Sequence, residues 1–179
     1  MDLTYSETTL DSSFCLEAKE LFETAFPPEE RPPFELAISW KNSSFQGVFL
    51  ENKYVALADV VVYEDLVYLF FLAVKKEYRG QGIGHQILSD LEKRFPSKRL
   101  FLLADECDPK YEDYEIRKKR MAFYASSGFK DSGLIIRELG VDYSLLYRNN
   151  PVSKQEFAKV MHHLIGDEMM KRYYPDFEF

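Results

Sequence analysis

The sequence predicts a single mixed α+β domain, and three observations carry that reading. Strand-like runs that pair around short polar turns lie toward both ends of the chain. Between them a buried strand, an amphipathic helix, a second buried strand and a second helix follow in order. The 179 residues, 46% hydrophobic and 16% aromatic, supply one packed core and are few for two domains. With 30% charged residues, the composition is that of a soluble globular protein rather than a disordered one.

Residues 12–26, SSFCLEAKELFETAF, place Phe14, Leu16, Ala18, Leu21, Phe22, Ala25 and Phe26 largely at a helical period. Pro27-Pro28 must end that helix, and PPEERPP continues as a charged loop stiffened by proline. FELAISWKN reads as a second short helix. SFQGVFLE and YVALADVVVYED are strand-like runs joined as a hairpin around Asn52-Lys53. LVYLFFLAV, residues 66–74, reads as a strand buried on both faces. After the Gly-rich stretch EYRGQGIGHQIL, the spacing of Ile87, Leu88, Leu91 and Phe95 puts a helix start within Gly82 to His85.

KRLFLLAD is a further buried strand, ECDPKYEDYE an acidic connector, and IRKKRMAFYASSGF a basic amphipathic helix closed by Gly128. DSGLIIREL and VDYSLLYRN form two more strands around Gly140. A last helix, within 151–175, opens at Ser153 with Glu156 three residues on, a capping box, and runs toward Tyr174-Pro175. Its apolar residues Phe157, Val160, Met161, Leu164, Ile165 and Met169 serve either to cover the core or to form a homodimer seam, and the spacing does not choose.

Bulk properties remove whole classes of partner. A net charge of −7 opposes nucleic acid, whose phosphates need a basic field. Cys15 and Cys107 have no spacing that points to zinc or a redox pair, which fits a reduced, cytoplasmic setting. The opening MDLTYSETTL lacks a basic leader, and no run approaches the ~20 apolar residues of a membrane span. No metal site is expected from His85, His162 and His163, the last two pointing to different helix faces.

Gly80, Gly82 and Gly84 sit between a strand and a helix, where bare backbone and unpaired N–H groups suit an anion such as a phosphate. A P-loop would need Lys-Ser/Thr after the last glycine, and His85-Gln86 stands there. A dinucleotide fingerprint would need glycine at position 85 and an early place in the chain, and neither condition is met. Gln/Arg-x-x-Gly-x-Gly/Ala is satisfied by Arg79-Gly80-Gln81-Gly82-Ile83-Gly84 at every specified position. With the strand end LAV ahead and AFYASSGF some 40 residues behind, the chain resembles the GNAT superfamily of N-acetyltransferases.

That resemblance implies a central, mostly antiparallel twisted sheet with one splayed parallel strand pair, flanked by helices, in one domain over 1–179. It implies acetyl-CoA as co-substrate, without a metal. The pyrophosphate would rest on the backbone of Arg79, Gly80, Gln81, Gly82, Ile83, Gly84 and His85. The pantetheine arm would pair with Leu72, Ala73 and Val74. Tyr124 takes the family position of the general acid, against the reading of a core tyrosine. Glu106, or Asp105 one residue earlier, is the candidate base, against the reading of solvated acids. A lysine-like amine is mostly protonated at pH 7, and freeing its lone pair costs on the order of 4 to 5 kcal/mol without such help.

Two departures from the family pattern stand out. Strand 66–74 carries no carboxylate beyond Asp65 at its start, and Arg117 occupies the place of an asparagine that many relatives have seven residues before the tyrosine. The basic run Arg117 to Arg120 is expected to be a solvated face. Glu29 and Glu30, with Asp105, Glu106, Asp108, Glu112, Asp113 and Glu115, point to a cationic small-molecule or peptide amine as acceptor. The rival expectation is an acyl-CoA sensor or interaction module without turnover.

Overall fold

The computed structural model describes residues 1–138 and 140–174. Seven strands and five α-helices occur among them, in the order β1 (Leu3–Glu7), α1 (Cys15–Ala25), α2 (Phe34–Ala37), β2 (Ser43–Leu50), β3 (Lys53–Tyr63), β4 (Leu66–Val74), α3 (Ile83–Arg94), β5 (Arg99–Asp105), α4 (Tyr114–Ser126), β6 (Lys130–Glu138), β7 (Val141–Arg148) and α5 (Lys154–Tyr173). The strands form one sheet in the order β1-β2-β3-β4-β5-β7-β6. The expected α+β class holds: β1–β2, β2–β3, β5–β7 and β6–β7 are antiparallel, and β4–β5 is parallel from Leu66↔Arg99 to Tyr68↔Phe101. The chain divides into two compact units whose boundary runs through β3 and β4: Met1–Val61 with Leu69–Arg94, and Val62–Tyr68 with the chain from Phe95 onward.

In the first unit the aromatic content becomes one core. Phe22, Phe34, Phe45 and Phe71 are almost wholly buried, and Phe22 meets Phe71 edge-on with centroids 4.9 Å apart. α1 directs Ala18, Leu21 and Phe22 inward and ends where Phe26 turns extended ahead of Pro27-Pro28, as proline requires. Gly47 admits the Phe14 ring, since a Cβ there would come within 2.6 Å of it. The β2–β3 hairpin turns on Glu51 and Asn52, with φ of 49° and 64°, a primed turn that matches strand twist.

β1 is absent from the sequence expectation. LTYSE is polar and its members are mostly exposed; what makes it a strand is the backbone pairing Leu3↔Leu50 to Glu7↔Gln46, a non-local partner that no local pattern announces. A cavity of about 210 Å³ lies in this unit, lined by Tyr5, Gln46, Ala58, Ile87, Asp90, Leu91 and Arg94. Its polar groups bond one another: Tyr5 OH donates to Asp90 at 2.9 Å and Arg94 to Gln46 at 3.1 Å.

The second unit has its own aromatic stack. Tyr68 lies parallel to Phe101, with centroids 4.7 Å apart, Phe157 meets both edge-on, and Tyr174 closes on Phe157 at 5.5 Å while its hydroxyl donates to Glu138 at 2.8 Å. The capping box at Ser153 and Glu156 forms as expected. Glu156 also accepts from Arg99 at 2.6 Å, which with that cap holds its carboxyl down at about 2. α5 is not the uninterrupted helix expected: Gly166, at φ 73° and ψ 173°, kinks it. Phe157, Val160, Met161, Leu164 and Met170 are buried within the chain. The expected helix end at Pro175, like Leu139 beside the Gly140 turn, lies outside the described residues.

One buried group departs from the packing rules. Asp59, fully enclosed on β3 opposite Phe45, has neither carboxylate oxygen in a hydrogen bond among the described residues, and the same holds for the Ser43 and Thr8 hydroxyls. Burial pushes its carboxyl from 3.8 up to about 7; the Ser43 hydroxyl and Val60 N–H, close by but outside hydrogen-bonding geometry, offset this only in part. Between those pH values the folded chain binds a proton that the unfolded chain does not. Stability is therefore greatest below the unfolded value and falls as pH rises through about 7, by on the order of 4 kcal/mol. Asp59→Asn is expected to remove that slope: urea denaturation at pH 5 and pH 8 should show a smaller loss for the variant, and equal losses would refute the assignment.

Candidate active site

The motif in the first unit forms a turn fastened to the end of its strand. Beyond Val74, the Lys75 N–H donates to Val55 O at 2.9 Å, and Lys76–Tyr78 make one 3₁₀ turn. Arg79 folds back so that Nε donates to Val74 O at 2.9 Å, and Gln81 Nε2 donates to Glu77 O at the same distance. The two long polar side chains of the motif thus brace its backbone.

Gly80 and Gly82 run at φ 76° and 83°, and a Cβ on either would meet no atom within 4 Å. Glycine is needed there for the backbone's shape, and the space above it is open. Gln86 N–H donates to Gly82 O at 2.9 Å, so the N–H groups of Ile83, Gly84 and His85 lie ahead of the first intrahelical bond of α3. Together with the positive end of the helix dipole they make an anion seat. On β4, Ala73 is buried while Leu72 and Val74 are half-buried.

In the second unit the FYASSGF segment encodes a helix stop. Phe129 N–H donates to Tyr124 O at 3.1 Å and Gly128 N–H to Ala125 O at 3.0 Å, with Gly128 at φ 83°. This is a Schellman motif, whose expected apolar contact is the Tyr124–Phe129 ring pair at 6.0 Å. Tyr124 therefore owes its place to the cap. The residue keeps some exposed area, yet its hydroxyl is closely surrounded: desolvation raises its pKa, with Arg120 acting against the rise.

Asp105 and most acids of the connector after it are paired within the chain. Asp105 is paired with Arg120, Asp113 with Arg117 at 2.6 Å and Glu115 with Lys118 at 3.6 Å. Glu106 Oε2 accepts from Lys110 Nζ at 2.6 Å and Tyr111 OH at 2.9 Å, and these two bonds hold its carboxyl below the usual range. The adjacent acids thus have different partners, as the alternation of a strand end requires. Of the run expected to be a solvated face, Lys118, Lys119 and Arg120 are exposed, and Arg117 is the exception: it is only 12% exposed, donates through Nη1 to Glu106 O at 3.0 Å and lies 4.0 Å over the Tyr111 ring. Lys110, Tyr111 and Arg117 were not anticipated as a network, and the four-residue spacings Glu106–Lys110 and Asp113–Arg117 were the signal.

His162 pairs with Asp167, and His163 packs on Tyr63 at 4.9 Å, so the two rings face different neighbours. No group of three His, Cys, Asp or Glu side chains among the described residues is placed to hold a metal ion. None of the described helices is long and apolar enough to cross a membrane.

The model of the acetyltransferase (GNAT) family matches residues 15–129, from the start of α1 to the residue that closes the cap after α4. The chain belongs to the GNAT family. It is an acyltransferase with acetyl-CoA as co-substrate. Solved structures show the same fold. A GNAT-family chain of Bacteroides thetaiotaomicron superposes with TM-score 0.73 at 17% identity, covering 96% of this chain and 98% of that one. An aminoglycoside 6′-N-acetyltransferase complexed with coenzyme A gives 0.62 at 17% identity, over 83% and 99%. The ribosomal-protein-S18-alanine N-acetyltransferase of Escherichia coli gives 0.58 at 21% identity, over 86% and 97%. No curated protein matches in sequence.

The cap after α4 can be tested by itself. An alanine at Gly128 must hold φ 83° and bring its Cβ within 3.3 Å of Arg148 Nε, so Gly128→Ala is expected to cost about 1–2 kcal/mol. A lower urea midpoint at unchanged m-value would show it, and an unchanged midpoint would count against the cap.

Proposed function

We propose that this GNAT chain moves the acetyl group of acetyl-CoA to a primary amine by direct attack in a ternary complex, as one N-acetyltransferase domain over 1–179 with the 151–175 helix appended. The observation that carries the reading is the braced turn opening α3, where left-handed Gly80 and Gly82 leave open space beside the first N–H groups of the helix. Residues Arg79 to His85 would take the pyrophosphate, and the backbone of Leu72, Ala73 and Val74 the amide-bearing pantetheine arm.

In the transfer, the neutral amine nitrogen bonds to the thioester carbonyl carbon and an oxyanion forms. The C–S bond then breaks, and the thiolate takes the proton of the Tyr124 hydroxyl. Burial keeps that hydroxyl protonated at neutral pH, the state a general acid requires. Glu106 is the carboxylate assigned to the amine side, with Asp105 one residue earlier as the alternate; each is paired with a cation, Glu106 with Lys110 and Asp105 with Arg120. Both observed contacts of Glu106 fall on Oε2. We assign Oε1 to receive the amine's proton, directly or through water. We take the acceptor to be a small-molecule or peptide amine, cationic in its free form. The named activities of the aminoglycoside and S18-alanine enzymes, both transfers to amines, support that class.

Tyr124→Phe is expected to bind acetyl-CoA with unchanged affinity in calorimetry while thiol release on an amine panel falls by about 10²-fold, the range of a lost general acid. Gly82→Ala is expected to weaken acetyl-CoA about tenfold, from the cost of φ 83° for a residue with a Cβ. Tight acetyl-CoA binding without thiol release for any amine would replace the enzyme by the sensor reading.

A further inference from the structure

The ammonium of Lys110 is held by the contacts that recognise an alkylammonium ion. It donates to Glu106 Oε2 at 2.6 Å, lies 4.8 Å over the Tyr111 ring, and stands 4.0 Å from Asp108. Tyr111 OH donates to the same Oε2 at 2.9 Å, fixing carboxylate and ring together.

Glu106 and Tyr111 are held by contacts other than the Lys110 side chain, and Asp108 Oδ1 accepts from the Lys110 backbone N–H at 2.8 Å. Glu106 N–H donates to Asp142 O at 3.0 Å, Glu106 O accepts from Arg117, and Tyr111 N–H donates to Asp108 O at 3.1 Å while Arg117 lies over its ring. Lys110 is the exposed member, at 51% against 20% for Glu106. A half-exposed lysine is a loose occupant of a braced cradle.

We propose that Glu106, Tyr111 and Asp108 form the binding site for the ammonium group of a cationic acceptor, and that Lys110 is its internal occupant, displaced when the acceptor binds. The proposal rests on the acetyl-transfer reading for the identity of the occupant as an acceptor; the cradle itself rests on the contacts above. A side chain four residues away is present at an effective concentration in the millimolar range, so an external ammonium must compete at that level. A neutral ligand gains nothing from the exchange. Removal of Lys110 therefore strengthens cationic ligands selectively, at the acceptor side and without altering the seat for acetyl-CoA.

The test uses the full chain and 1,4-diaminobutane, with n-butanol as the uncharged control. Binding is followed by NMR through the Tyr111 ring signals, and thiol release with acetyl-CoA is measured in parallel. Lys110→Met is expected to lower the diamine Kd at least fivefold, and the KM for the same diamine in step, with the acetyl-CoA KM unchanged. n-Butanol should not move the Tyr111 signals in either form. Lys118→Met, which removes the same charge from another ion pair of this unit, should leave the diamine Kd as it is. Equal diamine affinity in wild type and Lys110→Met overturns the proposal, as does an equal gain in Lys118→Met, which would mean a general field effect. If diamine binding tightens in Lys110→Met while no amine gives thiol release, the cradle stands and the acetyl-transfer reading falls. If thiol release proceeds and the Lys110 change leaves Kd and KM unaltered, the transfer reading stands and the cradle falls.

Discussion

A backbone that must run left-handed at Gly80 and again at Gly82 is the constraint on which the first unit's chemistry depends. It lets the chain leave β4 and enter α3 with Arg79 and Gln81 turned back on the strand end, so that their polarity is used within the turn. What the turn presents outward is then peptide N–H groups and the helix dipole, a fixed positive field that needs no lysine and suits the phosphates of the family's co-substrate. In a chain of net charge −7 this is an economical way to bind an anion: the field is local, and the rest of the surface need not be basic.

The second unit solves a different electrostatic problem. Its connector gathers acids that would repel one another, and the first turns of α4 supply the cations that match them: Arg120 to Asp105, Arg117 to Asp113, Lys118 to Glu115. Surface pairs of this kind add little stability each, and their value here is geometric. Arg117 joins three parts of the connector at once, reaching Asp113, the Glu106 carbonyl and the Tyr111 ring. The position where many relatives carry asparagine has become a clamp on the loop that carries the candidate base.

Beneath both surfaces, the cores show where the fold has stability to spare. The interlocked rings of Phe22, Phe34, Phe45 and Phe71 tolerate beside them an Asp59 whose carboxylate has no hydrogen bond among the described residues, a group that packing alone would exclude. In the second unit Tyr68, Phe101, Phe157 and Tyr174 draw α5 onto the sheet, and the Gly166 kink lets Met170 and Tyr174 reach buried positions after the helix has changed direction. The apolar stripe of α5 is spent largely inside its own chain.

Much of this was legible in the residues themselves. Helical and strand periods located every element but β1, because burial imposes those periods wherever a segment packs. Glycines marked the turn at 80–84 and the stop at 128, because positive φ costs a residue with a Cβ more than it costs glycine. The family followed from those marks and their spacing, and the family model agrees. What sequence did not contain was pairing between distant residues. β1 exists through β2, Asp59 is a fully enclosed acid only through the folded packing around β3, and the acids read as an attractive field for a cation are held by Arg120, Arg117, Lys118 and Lys110. The sequence by itself determined the strand-turn-helix and its exposed N–H groups, because that arrangement is backbone shape set by local glycines. Only the tertiary structure decided which cation each carboxylate meets, because charge pairing depends on which side chains the fold brings within a few ångströms.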